Sequence, residues 1–440
     1  MKLEGKSLKR DFFKFIMPAV VSQWVFALYT MVDGMFVARG VSETALAAVN
    51  ISSPFVTAMF AMSLMFAVGT STIVALLFGE KKIQEAREVF SQNMIVLSIL
   101  SLILTALVLL NLESLARFLG ATEHTLPYVK GYIGTIAPFA ICFILSYTFE
   151  ILISTDGYPA MATMIVSVGV VLNCILDYLL VMVLHRGVEG AAFATAFSQA
   201  VVIVFYLKHF LGKNGTIKFC RFRFQPERIW REIRNGFPSG LTELSAGIIT
   251  FVFNQAILRF LNEEYIVSYT IIAYINAIVV MSMVGVAQGC QPLISYYFGK
   301  KETDKCKRLL RYELITVLAF SIGAVTVCYM GAEYIVNIFI SDNLPQLASE
   351  SVRVFRIFIL SFLIVGYNIV IAGFFTAIEK SFSAVAISLG RGCITLVASM
   401  FILTTLFGGK GIWWAASFSE ILCLVVSISL YYRDRKYFHN

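Results

Sequence analysis

Charge is what this chain has least of. Only 14% of its 440 residues are Asp, Glu, Lys or Arg, against 58% hydrophobic, and the mean hydropathy is +0.80. A soluble domain carries about 25% charged residues, so this composition excludes a soluble globular protein. Histidine is scarce as well. The four, at 124, 185, 209 and 439, lie in loops or at the ends of apolar runs, which leaves no histidine base within a membrane. The eight cysteines form no C-x-x-C pair, and six of them sit inside apolar runs. They read as small core residues, with no disulfide or metal framework. There is no P-loop, no G-x-S-x-G and no H-E-x-x-H, so neither ATP-driven nor hydrolytic chemistry has its residues here. The chain reads as a non-enzyme without a cofactor.

In place of charge there are long apolar runs. Crossing a bilayer takes about 20 apolar residues, and twelve runs qualify, at about 12–38, 45–77, 88–112, 128–153, 159–184, 188–210, 235–261, 264–297, 309–332, 352–378, 382–407 and 411–432. They are unbroken blocks, without the alternation of a β-barrel. The expected fold class is therefore all-α integral membrane with twelve transmembrane helices. The first run is too long for a cleaved signal peptide, carries Asp33 and shows no small-residue cleavage pattern before Arg39.

The net charge of +8 is unevenly spread. With the N-terminus inside, inner segments hold 26 of the 35 Lys and Arg residues. The outer side holds 8, namely Arg39, Arg117, Lys130, Arg186, Arg259, Arg353, Arg356 and Lys410. Arg391 alone lies within a run. This asymmetry places both termini in the cytoplasm of a cell membrane. It assigns the basic loops to anionic lipid and not to nucleic acid.

The chain contains itself once. VGTSTIVALLFGEKKIQEAR (68–87) and QGCQPLISYYFGKKETDKCK (288–307) align at an offset of 220, matching Gly69 with Gly289 and Phe78-Gly79 with Phe298-Gly299. GAAFATAFSQ (190–199) and GIWWAASFSE (411–420) align at 221. Two six-helix lobes follow, 1–210 and 235–440, joined by a basic cytoplasmic linker at 211–234. An even number of spans in each makes them parallel repeats about an axis along the membrane normal, a design typical of alternating-access transporters.

Six ionisable residues sit inside the runs: Asp33, Glu150, Asp177, Glu243, Arg391 and Glu420. Each costs at least about 2.5–3.5 kcal/mol to insert and is a functional hypothesis by default. Depth sorts them. Asp33 lies six residues before Arg39, while Asp177 and Thr195 each lie nine from Arg186, so all three sit roughly 9–14 Å from the outer surface. Asn173 is one turn from Asp177 on the same face. Two carboxylates, an amide and a hydroxyl at one depth suit Na⁺ by their hard oxygen donors. They equally suit a shared proton, since two neighbouring carboxylates in low dielectric do not both ionise easily. Separate acids bonded to backbone or hydroxyls are the structural alternative.

Pro18, inside the first run, predicts a kink or hinge, and Pro138 reads as structural. Glu150 and Glu243 fall in the inner half, as an inner gate or a wet boundary. Arg391 is expected to pair with an acid, with Glu420 at a comparable depth. The 38 Phe and 15 Met serve the core and lipid face, and within a cavity would suit greasy, varied ligands.

Pro18, Tyr29, VDGMFVARG, N-x-x-x-D at 173–177 and GAAFATA at 190–196 together resemble the MATE (multidrug and toxic compound extrusion) transporters, closest to their DinF-like branch. The resemblance covers essentially the whole chain. It implies antiport of cationic lipophilic drugs against H⁺ or Na⁺, with Asp33, Asn173, Asp177 and Thr195 matching the N-lobe cation site. It also implies that Pro18 matches the bend in the first helix, and that Tyr29 and Tyr132 match tyrosines near that site. Two departures point coupling to the N-lobe. Small residues stand one turn beyond Glu243, where some members carry a carboxylate, and FLIVGYNIVIAGFF in the tenth span has no acid. The chain is expected to work as a monomer. A flippase for a lipid-linked saccharide is the rival reading, but it calls for several cavity Arg or Lys to meet pyrophosphate, and only Arg391 is available. A binding scaffold leaves the paired carboxylates unexplained.

Overall fold

Within a bilayer every backbone N–H and C=O needs a partner inside its own segment, which long apolar runs provide by coiling into helices. The computed structural model describes residues 7–212, 215–340 and 345–434, and residues 1–6, 213–214, 341–344 and 435–440 lie outside that description. The extreme ends of the topological reading and the side chain of Arg39 therefore lie outside the described residues.

Among the described residues, twelve helices are long and apolar enough to cross a membrane. In order they are α1 (Leu8–Gly40), α2 (Glu43–Gly79) and α3 (Ile83–Leu110); α4 (Leu126–Thr155), α5 (Pro159–Val183) and α6 (Gly187–Leu211); α7 (Pro226–Phe260), α8 (Tyr265–Gly299) and α9 (Thr303–Met330); and α10 (Pro345–Ala377), α11 (Ser381–Phe407) and α12 (Lys410–Asp434). The protein is all-α among its described residues and multi-pass in the membrane. Prolines mark several helix starts, where the missing N–H is harmless: Pro159, Pro226 and Pro345 open α5, α7 and α10. Pro138 sits in a 3₁₀ turn, Ala137–Phe139, inside α4. α1 runs as one helix through Pro18, whose carbonyl oxygen accepts from Thr163 Oγ1 at 2.8 Å.

The repeat extends to backbone conformation. Short helices Leu112–Phe118 and Ala332–Phe339 occupy matching connections, and the 3₁₀ turn in α4 returns as Ile359–Ser361 in α10. The π-turns depart from the repeat: one ends α5 at Tyr178–Val183, while the other interrupts α11 at Gly390–Ile394, about ten residues out of register. Lys81 and Lys301, both just past a Phe-Gly pair, adopt left-handed φ values of 64° and 62°.

Two hydrophobic cores result. One is built mainly from α2–α6 and includes Val37 from the far end of α1. The other is built from α7–α12 and takes in Phe12, Phe15 and Ile16 from the start of α1. α1 thus begins on the second bundle and ends on the first. α7 makes the reciprocal crossing: a Cβ on Gly236 would lie 1.6 Å from the Met65 carbonyl oxygen of α2, while Phe253 and Ile257 enter the second core. Only glycine permits backbones so close. Hydrogen bonds between the bundles run from mid-helix, Trp24 Nε1 to Ser282 Oγ (2.7 Å), towards the end that holds the chain termini, Gln23 Nε2 to Gln288 Oε1 (2.9 Å) and Gln291 Nε2 to Thr72 Oγ1 (2.8 Å).

The linker differs from its expected form. Residues 226–234 are already helical, because Pro226 starts α7 and its basic first turns hide the helix from a hydropathy reading. The preceding stretch is extended and finds side-chain partners. Cys220 N donates to Ser91 Oγ (2.9 Å) and Gln225 N to Gln92 Oε1 (3.1 Å). The buried Asp156 carboxylate accepts from Thr216 N (3.0 Å) and Ile217 N (3.2 Å) and meets His209 Nε2 at 3.0 Å.

Candidate functional site

Tyr29 and Asp33 are one turn apart on α1, as are Asn173 and Asp177 on α5, so each pair shares a helix face. The small residues Ala191, Ala192, Ala194 and Ala196 are all buried and let α6 approach closely enough to add Thr195. The structure brings these residues together. The Asp33 and Asp177 carboxyls lie against one another, and Tyr132 from α4 stands close to both. Asn173 Nδ2 donates to Thr195 Oγ1 at 3.2 Å, and Tyr29 OH donates to the same oxygen at 3.4 Å. Asp177 is fully buried and Asn173 is 2% exposed.

The unpaired atoms matter more than the bonds. Asp33 Oδ1, Asn173 Oδ1 and both carboxyl oxygens of Asp177 are buried with no donor. Buried acceptors without partners are costly, and here four of them collect around two acids. No cluster of three or more His, Cys, Asp or Glu suited to a metal occurs among the described residues. The donor set of two carboxylates, an amide and a hydroxyl is one for a monovalent cation or a proton.

A cavity partly open to solvent adjoins this site and is lined by Phe26, Tyr29, Phe60, Tyr147, Glu150 and Asn173, among others. A second space lies between the bundles, against Ser22, Gln23, Thr163 and Gln288. Glu150 lines both, so it stands at the partition between them. Glu243 lines neither of these two cavities. Arg391 is remote from the site, its Nε donating to Glu420 Oε1 at 3.0 Å, the expected pairing.

Sequence reasoning missed the cavity's uncharged polar wall: Ser146, Tyr147, Gln199 and Tyr206. Part of that wall was readable. Thr195, Gln199, Val202 and Tyr206 follow the three-and-four spacing of one helix face, and all four line the cavity.

The family model of MatE matches residues 18–179 and again 238–407. The multidrug export protein MepA of Staphylococcus haemolyticus (strain JCSC1435) is 25% identical over 442 residues, covering 98% of this chain and 95% of that protein. MepA of Staphylococcus aureus (strain NCTC 8325 / PS 47) is 24% identical over 438 residues, covering 96% and 93%. Among solved structures, the outward-facing conformation of a multidrug resistance MATE transporter of the MOP superfamily superposes with a TM-score of 0.94 at 19% identity, covering 100% of this chain and 99% of that one. The chain belongs to the MatE family.

Proposed function

We propose that this protein is a secondary-active multidrug efflux antiporter, which exports lipophilic organic cations in exchange for H⁺ or Na⁺ bound at Asp33, Asn173, Asp177 and Thr195. The observation that carries the reading is the group of four donorless oxygens beside an aromatic cavity. Such a group favours positive charge, and the cavity beside it offers the greasy, aromatic surface that a lipophilic cation needs. The names of the MepA relatives support drugs as the cargo.

The topology reading sets the direction. Lys and Arg are concentrated on the side of the chain ends, so that side is cytoplasmic and the membrane is the cell membrane. The lobes touch on that side through the Gln291–Thr72 bond and at Gly79 and Gly299, where α2 meets α8. The state described is therefore outward-facing. An ion entering from outside supplies the positive charge that the Asp33–Asp177 pair lacks, which weakens the hold on a cationic drug and releases it. The empty, ion-loaded protein then turns inward, with α1 as the moving helix and Pro18 as its hinge. The coupling is as large as the difference in affinity between the two states. One copy of the chain holds every residue this cycle uses.

The test is transport in proteoliposomes. Ethidium movement under an imposed pH gradient, and then under a Na⁺ gradient, should occur with wild type and be lost in Asp177→Asn. Full transport by a normally inserted Asp177→Asn variant would remove the basis of the reading.

A further inference from the structure

The second bundle repeats the first around its cavity, with one change of charge. The 3₁₀ turns Ala137–Phe139 and Ile359–Ser361, and the helix starts Pro159 and Ser381, are each 222 residues apart. So are the left-handed residues Gly157 and Glu379. The same offset pairs Ser146 with Asn368 and Gly169 with Arg391, and the sequence repeat at 221 pairs Gln199 with Glu420. The side chains obey this correspondence. Ser146 Oγ donates to Gln199 Oε1 at 2.6 Å in the first bundle, and Asn368 Nδ2 donates to Glu420 Oε2 at 2.7 Å in the second. Where the first bundle has a neutral amide and a glycine that lines the cavity, the second has a carboxylate and a guanidinium.

We propose that Glu420 is a second monovalent-cation site whose cation is supplied by the chain itself, the Arg391 guanidinium, so that only the first bundle draws an ion from solution. Both carboxyl oxygens of Glu420 are engaged, Oε1 by Arg391 Nε at 3.0 Å and Oε2 by Asn368. Ser427 Oγ donates to Asn368 Oδ1 at 2.9 Å and so fixes which end of the amide faces the acid. The two charged side chains are only 13% and 12% exposed. Arg391 sits in the π-turn Gly390–Ile394, whose extra residue re-aims side chains at that level of α11. The contrast with the first bundle is direct: four buried oxygens there have no donor, while the acid here is fully bonded. Removing the guanidinium would free Oε1 of a nearly buried carboxylate, held in place through Oε2 by the Asn368 NH₂ group, and open the space of an arginine side chain beside it, where a Na⁺ can replace the tethered charge.

The inference rests on the first bundle being the coupling site, and the test separates the two claims. Purified full-length protein is heated at rising NaCl, with choline chloride as the control for ionic strength. Arg391→Ala should gain a Na⁺-specific rise in unfolding temperature of about 2 °C between 10 and 300 mM. The gain should vanish in Arg391→Ala/Glu420→Gln and be absent in Arg391→Lys, which keeps a tethered cation. A purely structural ion pair would lower stability equally in both salts, and that result overturns the proposal. So does loss of a wild-type Na⁺ response in Glu420→Gln alone. Asp177→Asn reports separately on the first bundle: a Na⁺ response shown by wild type and kept in full by Asp177→Asn counts against the coupling site and leaves the Arg391 comparison readable.

Discussion

Gly79 and Gly299, 220 positions apart in the chain, meet where α2 crosses α8. A Cβ on Gly79 would lie 2.2 Å from the Tyr296 carbonyl oxygen, and one on Gly299 would lie 2.1 Å from that of Leu76. Each glycine touches the backbone of the other's helix, as two equivalent residues must when they flank the axis of a repeat. The lobes are sealed here with no side chain between them.

Gly79→Val therefore cannot be accommodated by a rotamer change, because the obstructing atom is backbone. Overpacking of this kind costs about 1–3 kcal/mol, and the cost falls only on the state in which this end is closed. Spin labels in the loops after α2 and α8 should report longer distances in Gly79→Val than in wild type, with a lower unfolding temperature. An unchanged distance distribution would show that the crossing does not hold the seal.

Asp156 anchors the linker. It accepts from the Thr216 and Ile217 backbone N–H groups and meets His209, so Asp156→Ala strands three polar groups at once. Each unsatisfied buried group costs about 1–3 kcal/mol. Trypsin should cut after Lys218, Arg221 or Arg223 faster in Asp156→Ala than in wild type, while helices away from the linker stay resistant. Equal cutting rates would mean that the bonds to α3 suffice alone.

Thr195 Oγ1 is the acceptor shared by Asn173 and Tyr29. Thr195→Val keeps the shape and deletes that acceptor, freeing both side chains to turn away from the carboxylates. The apparent affinity for the coupling ion, read from the ion dependence of ethidium transport, should fall about 10-fold. Thr195→Ser retains the hydroxyl and should stay near wild type. Equal behaviour of the two variants would reduce Thr195 to packing.

How much of this was legible from the sequence follows from what a bilayer punishes. Charges and paired polar groups are expensive inside it, so Asp33, Asp177 and Asn173 stood out, and loop distances alone gave them a common depth. The Arg391–Glu420 pair was legible for the same reason. Tyr147, Gln199 and Asn368 were not singled out, because one uncharged polar side chain in an apolar helix is ordinary. The reciprocal crossing of α1 and α7 was hidden as well: hydropathy marks a helix as apolar without saying which bundle it leans on, and it takes the core packing of Phe12, Phe15, Phe253 and Ile257 and the close contacts at Gly69, Gly236, Gly285 and Gly289 to reveal it. The start of α7 was missed because Arg228, Arg231 and Arg234 make its first turns look like loop. Two of those charges find acids on other elements, Arg228 at Glu88 (3.0 Å) and Arg231 at Glu379 (2.6 Å).

The central claim is that ion and cationic drug compete for the charge of Asp33 and Asp177. The direct measurement is displacement of bound tetraphenylphosphonium from the purified protein by added Na⁺, and separately by lowered pH, in wild type, Asp33→Asn and Asp177→Asn. Competition predicts that one of the two ions displaces the probe from wild type and that displacement is lost in both variants. Probe that stays bound to wild type under both conditions, or that leaves all three proteins alike, would contradict the account.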